Sequence, residues 1–296
     1  MKGVGHYSGW RWIFIIEGLA TIVGAVFAKF LVVDWPARAK FLTKDERELL
    51  FRRLDEDGAF ARMDTLNKRS IKRTFGDWKI YVGALMYFGV NTTGYATAFF
   101  IPTIIKELGY TSSSAQLRSA AVNLAAVGCM LVVAFVTDKV RNRYFATILG
   151  PAIACVGYIM LLAQGHLSPG VKYFATFLIT CGAYTAQPVT LGWLNNNMGG
   201  HYKRAIAAAM QAGIGNLGGI VASNIFVAKQ APRYKTGYGT GMGLIIMTSV
   251  MCTVFFLGLR RENMKRDRGD RDYRYQEPFE EQENMGDDHP RFRFNY

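Results

Sequence analysis

The stretch AIAAAMQAGIGNLGGIVASNIFVA, residues 205–228, contains no charged side chain and decides the class of fold. An α-helix needs about 20 apolar residues to cross roughly 30 Å of hydrocarbon, so this stretch predicts a membrane span. Gly213, Gly215 and Gly218 have the GxGxxG spacing of a dinucleotide-binding turn, but that turn follows a strand and precedes an acidic residue, and neither is present here. The GxxxG pair of Gly215 and Gly219 instead predicts close packing between membrane helices.

Seven apolar runs of this kind predict an all-α membrane protein with seven transmembrane helices. Between Lys79 and Arg260 the only carboxylates are Glu107 and Asp138, whereas a soluble surface carries both signs of charge throughout. The composition therefore excludes an ordinary soluble domain. The predicted spans are residues 12–33, 81–105, 120–137, 144–163, 173–193, 205–228 and 239–259.

The net charge of +13 comes largely from basic residues beside the spans, so it predicts an orientation in the membrane and not a nucleic-acid surface. Lysine and arginine concentrate in the cytoplasmic segments of membrane proteins. Their positions here predict an outer N-terminus and a cytoplasmic C-terminus. The flanking residues that favour this orientation are Lys68, Arg69, Lys72, Arg73, Arg260, Arg261, Lys265 and Arg266.

The spans and the polar stretches divide the chain into four segments. These are a first transmembrane helix (1–33), a cytoplasmic loop with an amphipathic helix (34–78), a six-helix bundle (79–261) and a cytoplasmic tail (262–296). Thr43 and Glu46 have the spacing of a capping box, which predicts where the amphipathic helix begins. Short loops make neighbouring helices of the bundle antiparallel. The tail mixes charges without periodicity, and we expect it to be disordered.

Polar side chains inside the spans are the candidate binding residues, because they are costly in a membrane and usually face the bundle interior or a water-filled path. Asn91 and Tyr95 lie one turn apart on the second span, Gln187 lies on the fifth and Asn216 on the sixth. We expect these four residues to line a solute cavity; the alternative is hydrogen bonding between helices. No catalytic or metal-binding motif is present, and the four cysteines lie singly in four spans, so we expect no enzyme activity, metal or cofactor.

A charged inner loop is the candidate gating latch. The sequence AFVTDKVRNR, residues 134–143, contains Asp138 followed by Lys139, Arg141 and Arg143. We interpret the basic residues as a positive-inside anchor. We also expect Asp138 to pair with a basic residue or a helix N-terminus while the bundle faces one way, and to release it when the bundle rocks.

This loop resembles the GxxxD(R/K)xGRR signature of the Major Facilitator Superfamily, which joins the second and third helices of each half. It matches in Asp138 and the basic residues, while Ala134 and Asn142 depart from the pattern. Four further segments resemble the fungal anion:cation symporters, the allantoate and nicotinate permease group. They are GWRWIFIIEG (9–18), DWPARAKFLTKDER (34–47), IPTIIKELGYTSSSAQL (101–117) and NNNMGGHYKRAIAAAMQAGIGN (195–216).

The resemblance implies a twelve-helix fold with a solute site between two six-helix halves. The chain would begin at the sixth helix of that fold, so we expect about the first five helices to be absent and the last six spans to form the C-terminal half-bundle. The implied function is secondary active transport, a proton-coupled uptake of a vitamin, allantoate-like or nicotinate-like anion across the plasma membrane. Glu17 is the only candidate coupling acid, because the last six spans lack a carboxylate at mid-membrane. The alternative is a structural pairing of Glu17 with a basic residue such as Arg11 near the outer interface.

Three alternatives stay open from the sequence. The chain could be a truncated fragment without transport activity, or a subunit that partners a full-length transporter, with self-association or a missing N-terminal half completing the site. A seven-helix receptor also suits the predicted topology, although the polar segment between the first two spans argues against it. A membrane enzyme comes last, because no catalytic constellation is present.

Overall fold

The computed structural model describes residues 8–32, 39, 41–58, 63, 65–140 and 142–296. Every regular element in these residues is helical. The chain divides after residue 59 into two compact units. The smaller unit contains helices α1 (Gly9–Leu31) and α2 (Lys44–Gly58), and all other helices belong to the larger unit.

The two helices of the smaller unit have opposite characters. Helix α1 is apolar, and none of its residues is buried. The polar helix α2 begins at the predicted capping box, in which Thr43 N–H donates to Glu46 Oε2 at 2.9 Å and Glu46 N–H donates to Thr43 Oγ1 at 3.3 Å. The bonds from Thr43 lower the pKa of Glu46. The prediction of the capping box is confirmed.

The larger unit is a helical bundle arranged around one central helix. Its helices are α3 (Lys68–Phe75), α4 (Trp78–Glu107), α5 (Ser112–Val140), α6 (Arg143–Leu162), α7 (Pro169–Asn196), α8 (His201–Asn216), α9 (Gly218–Ile225), α10 (Lys235–Asp267) and α11 (Phe279–Glu283). Helix α4 contacts α5, α7, α8, α9 and α10, and α6 packs against α7 and α10. Each of the six apolar runs predicted in this unit is therefore helical.

Five helices in the described part of the chain are long and apolar enough to cross a membrane. These are Gly9–Leu31, Ser112–Val140, Arg143–Leu162, His201–Ile225, which combines α8 and α9, and Lys235–Asp267. Helices α4 and α7 have 30 and 28 residues, which is sufficient length, but both contain many polar side chains. The count of seven spans therefore stays a prediction.

Helices α6 and α7 touch through their backbones at two glycines. A Cβ atom on Gly150 would lie 2.5 Å from the carbonyl oxygen of Gly182, and a Cβ atom on Gly182 would lie 2.7 Å from the nitrogen of Ala154. Only glycine permits this approach, as is common for small residues between membrane helices. The contact fixes the position of α7, which also packs against α4.

The tail differs from the expectation of disorder, because it is folded onto one end of the bundle. Helix α10 extends to Asp267, and short helical segments follow at 272–276, 279–283 and 286–288. The side chain of Phe294 is 4% exposed and belongs to the core cluster of Trp193 and Phe255. A composition rich in charge predicts disorder. Here charged residues of the tail instead form ion pairs with the bundle, as Asp287 does with Lys79 and Lys203.

Candidate functional site

The four polar residues expected at a solute cavity form one hydrogen-bonded network between α4, α7 and α8. Gln187 Nε2 donates to Asn91 Oδ1 at 2.6 Å. Asn91 Nδ2 in turn donates to Asn216 Oδ1 at 3.1 Å, and the hydroxyl of Tyr95 donates to the same oxygen at 3.0 Å. The structure therefore brings Asn91, Tyr95, Gln187 and Asn216 together from three helices.

A break between α8 and α9 supplies the network with a backbone group. Helix α8 ends at Asn216 and α9 begins at Gly218, with Leu217 between them. The carbonyl oxygen of Gly215, in the last turn of α8, accepts a bond from Asn91 Nδ2 at 3.0 Å. Discontinuous helices offer such groups at the binding sites of many transporters.

The glycines of this helix pair permit close contact with α4. A side chain at Gly215 would collide with the ring of Tyr87, and one at Gly218 would collide with the hydroxyl of Thr92. A Cβ atom at Gly219 would lie 3.4 Å from the ring of Tyr95, which is an ordinary contact distance. Of the GxxxG pair, Gly215 therefore lies in the predicted close contact with α4, whereas Gly219 leaves room for a Cβ atom.

The network runs from the interior of the bundle to its surface. Asn91 is 4% exposed, Gln187 and Tyr95 are half-buried, and Asn216 is exposed. The ring of Tyr95 also stacks on that of Phe99, with centroids 5.9 Å apart. One end of the network is thus fixed by packing, while the other end can be reached by a ligand.

The bonding pattern sets the chemistry of the exposed end. Both bonds to the side chain of Asn216 are made to its oxygen, from Asn91 and Tyr95. This fixes the orientation of the amide. The NH₂ group of Asn216 makes no hydrogen bond to another described residue, so it presents two N–H donors at the surface. Such a group can donate to the oxygen of an anion or of a carbonyl.

Gln211 precedes Asn216 on α8 and joins the same three helices as the network. It is fully buried, and its Nε2 donates to the carbonyl oxygens of Gly83 on α4 and Thr190 on α7, both at 3.2 Å. Its Oε1 has no partner within the described structure. The sequence marks Gln211 as a polar residue of a span, but gives no sign that it bridges three helices.

A second polar cluster, which sequence reasoning missed, lies at one end of the bundle. Asp287 of the tail forms ion pairs with Lys79 at the start of α4 and with Lys203 at the start of α8, the latter at 2.8 Å. Asp77 pairs with the same two lysines, at 3.1 Å and 2.6 Å. All four side chains are at most 8% exposed, so the cluster is a buried clasp of two lysines and two aspartates.

The buried clasp is supported by hydrogen bonds from its surroundings. Burial opposes ionisation of Asp287, but the charges of Lys203 and Lys79 outweigh it and lower the pKa of this carboxyl. The backbone N–H of Gly199 also donates to Asp287, at 3.1 Å. Arg266, which is 4% exposed, donates to the backbone oxygens of Asp287, His289 and Phe292. The tail is therefore held by charge and by backbone recognition together.

Comparison with known proteins identifies the family to which this bundle belongs. Residues 3–223 match the Major Facilitator Superfamily. The chain belongs to the Major Facilitator Superfamily. The family and its relatives named as transporters place the chain among multi-pass membrane transport proteins and not among enzymes.

Fungal transporters are among the relatives of this chain. Uncharacterized transporter C11D3.18C of Schizosaccharomyces pombe is 36% identical over 263 residues, which cover 89% of this chain and 52% of the relative. Uncharacterized transporter C1002.16c of the same organism is 35% identical over 268 residues, covering 90% and 53%. MFS-type transporter cnsO of Penicillium expansum is 29% identical over 313 residues, covering 99% and 60%. The chain spans about half the length of the curated relatives that it matches.

The loop that resembles the Major Facilitator signature lies at the end of α5, where Asp138 and Lys139 are exposed. The charge of Asp138 acts on Arg143, although the ion pairs between described residues do not include Asp138. Arg141 lies outside the described residues. Arg143 donates to the side-chain oxygen of Asn196 at 2.9 Å and 2.6 Å once that amide is oriented to accept. The gating role of the four charged residues stays a prediction.

The candidate coupling acid of this Major Facilitator protein lies apart from the network in the chain. Glu17 is exposed on α1, in the smaller unit, and its backbone oxygen accepts a bond from Thr21 Oγ1 at 2.8 Å. Among the described residues, no group of three or more His, Cys, Asp or Glu side chains could hold a metal ion. The network of amides and a phenol is therefore the candidate site.

Proposed function

We propose that this protein is a secondary active transporter and that the network of Asn91, Tyr95, Gln187 and Asn216 binds its solute. The observation that carries the proposal is the fixed amide of Asn216, whose oxygen is occupied while its NH₂ group faces outward. An uncharged donor can recognise a solute oxygen without the cost of a buried charge. This suits a solute that must leave the site again.

The proposed solute is a small organic anion, a carboxylate of the vitamin, allantoate or nicotinate type. The N–H donors of Asn216 match carboxylate oxygens, and the segments that resemble the anion:cation symporters favour the same class. The described network contains no lysine or arginine, so the counter-charge comes from outside it. We assign proton coupling to Glu17, the one acid in the predicted spans that could carry it.

The proposal includes a second set of helices. The exposed end of the network lies on the surface of this bundle, whereas transporters of this fold bind solute between two halves. Another copy of the chain, or the portion of the relatives that this chain does not match, would enclose the site. In the proposed arrangement seven helices span the plasma membrane, the C-terminus is cytoplasmic, and Asp138, Lys139, Arg141 and Arg143 form the gating latch.

A second candidate function is a non-transporting fragment or partner subunit. The specific observation in its favour is that the side chains of Asn91 and Gln187 already bond to one another, and that of Asn91 also bonds to α8. The polar network would then serve only to hold helices together, at about 0.6 to 2 kcal/mol per hydrogen bond.

Uptake by cells that express this chain distinguishes the two functions. Cells are given a panel of labelled organic anions, with and without a protonophore, and the amount of chain at the cell surface is measured in parallel. The proposal predicts saturable uptake of at least one anion that collapses with the protonophore. A chain that reaches the surface and transports none of the panel, alone or with a full-length relative, would contradict it.

A further inference from the structure

A basic cavity beside the buried clasp has no role in the proposed transport. Its volume is about 500 Å³, which lies within the usual range for ligand sites. Seven of its lining side chains are cationic and three are carboxylates. The cations are Arg69, Lys72, Arg73, Lys79, Arg266, Arg271 and Arg274, and the carboxylates are Asp77, Glu262 and Asp288.

Three of these cations are fully engaged by the protein. Lys79 belongs to the buried clasp, and Arg266 donates to backbone oxygens of the tail. Arg271 forms a two-point bond with Glu262, at 2.8 Å and 2.7 Å, which raises the pKa of its guanidinium. These groups form the floor of the cavity and would contribute charge but few free donors.

The other four cations also line the cavity, and the ion pairs that three of them form are long. Arg69 lies 3.6 Å from Glu277 and 3.7 Å from Glu281, at a site where its side chain is 63% exposed. Arg73 lies 3.5 Å from Glu281, and Arg274 lies 3.4 Å from the carboxylate of Asp288 and also donates to the backbone oxygen of that residue. Ion pairs at these distances lack the short bonds of a strong charge-assisted pair, so a more highly charged anion can compete for the cations.

Lys72 is the fourth of these cations. It is exposed on α3, one turn from Arg69 and next to Arg73, and it forms no ion pair with a described residue. Four such cations around one cavity exceed what a single carboxylate can occupy. A phosphate carries about 1.5 to 2 negative charges and three acceptor oxygens, and arginine binds it by two points. The number of donors therefore favours a ligand with more than one phosphate.

The apolar part of the lining indicates the level of the cavity in the membrane. Trp78 is the first residue of α4, and its ring lies against Gly258 of α10. Leu259 of α10 also lines the cavity, and Arg260 and Arg261 follow it directly in the same helix. Tryptophan concentrates where apolar spans meet the headgroup region. On the proposed membrane orientation of α4 and α10, the cavity opens at the cytoplasmic headgroup level, where basic pockets between spans bind phosphorylated lipids.

We propose that this cavity binds a multiply phosphorylated anion through Arg69, Lys72, Arg73 and Arg274. The phosphates are supplied either by a lipid headgroup or by a soluble phosphorylated compound. Binding would replace the loose contacts of Arg69 and Arg73 with Glu277 and Glu281 of the tail. The ligand would thereby connect α3 with the tail at the rim of the bundle.

The test uses the purified full chain in detergent, without any transport assay. Native mass spectrometry measures retention of short-chain phosphatidylinositol bisphosphate, with phosphatidylserine and phosphatidylcholine as comparison lipids. Calorimetric titration measures binding of soluble inositol trisphosphate and of inorganic phosphate. Both measurements are repeated with Arg69→Gln/Lys72→Gln and with the control Lys265→Gln/Arg268→Gln, which removes the same charge from exposed positions outside the cavity.

We expect one bound bisphosphate lipid or trisphosphate per chain and an affinity at least about tenfold lower in Arg69→Gln/Lys72→Gln, since each lost bond joined two charged groups. The control should bind within about twofold of the original chain, since screened charges outside the cavity add little. Retention of the lipid identifies a headgroup as the source, and binding of the soluble compound alone identifies the other source. Equal losses in both variants would overturn the proposal. So would lipid retention no greater than that of phosphatidylserine together with no binding of inositol trisphosphate above that of inorganic phosphate.

Discussion

Replacing one carboxylate of the buried clasp should release the tail from the bundle. In Asp287→Asn, Lys79 and Lys203 would share the single carboxylate of Asp77, although they are only 5% and 1% exposed. Removing one partner of a buried ion pair costs about 3 to 5 kcal/mol. Asparagine can still accept the bond from Gly199, so we expect a loss near the lower limit, about 3 kcal/mol.

Hydrogen exchange of the backbone amides in residues 285–295 measures this loss in the purified protein. A loss of about 3 kcal/mol accelerates exchange on the order of 100-fold, because each 1.4 kcal/mol is a factor of ten. The control is Asp288→Asn, which makes the same chemical change next door, where the side chain is 29% exposed and 3.4 Å from Arg274. The control should lose less than about 1 kcal/mol. Equal effects in the two variants would refute the reasoning.

The ionisation of Asp287 also determines the pH below which the folded tail loses stability. The folded pKa of Asp287 lies below its unfolded value of about 3.9. The stability from its ion pairs is therefore complete above about pH 4, and it is lost only as the pH falls below that value.

Three further changes test the packing and the tail. Gly182→Ala should destabilise the bundle by about 1 to 3 kcal/mol in thermal unfolding, because the new Cβ atom would collide with the backbone of α6. The control Gly128→Ala has open space around the new Cβ atom, so it should be neutral or slightly stabilising. Deletion of residues 294–296 removes the backbone oxygen that accepts from Trp193 Nε1 at 2.9 Å, so tryptophan emission should shift to longer wavelength; an unchanged spectrum would contradict the packing. Burial and the neighbouring positive charges lower the pKa of His289 in the folded tail. The unfolded tail therefore binds the proton more readily, and protection of the tail's backbone amides from hydrogen exchange should fall as the pH drops below about 6.5. A His289→Asn chain should lose that pH dependence.

The helices and the candidate site follow from local patterns in the sequence. Apolar runs of sufficient length predict the helices α4 to α10 of the bundle, because a membrane helix satisfies its own backbone. The spacing of Asn91 and Tyr95 places both on one face of α4, and the small residues of α8 and α9 allow close contact with that face. The break at Leu217 has no comparable signal, because no proline or charge marks it.

The folded tail could not be predicted, because its partners are far away in the sequence. Lys79 and Lys203 each lie at the start of a helix, where lysine is expected from the positive-inside rule alone. Asp287 lies in a segment of mixed charge, and its two partners are distant in the chain. Only the three-dimensional arrangement of α4, α8 and the tail joins these charges in one cluster.

The central claim is that the exposed amide of the polar network recognises the transported solute. The most direct measurement compares uptake of the labelled anion panel by cells that express the original chain, Asn216→Ala or Asn224→Ala, at matched surface expression. Asn224 is an exposed amide on α9 that bonds only within its own helix among the described contacts, so it is a matched control. The account predicts that Asn216→Ala abolishes uptake or raises its Michaelis constant while Asn224→Ala transports normally. Equal uptake by all three chains would contradict it.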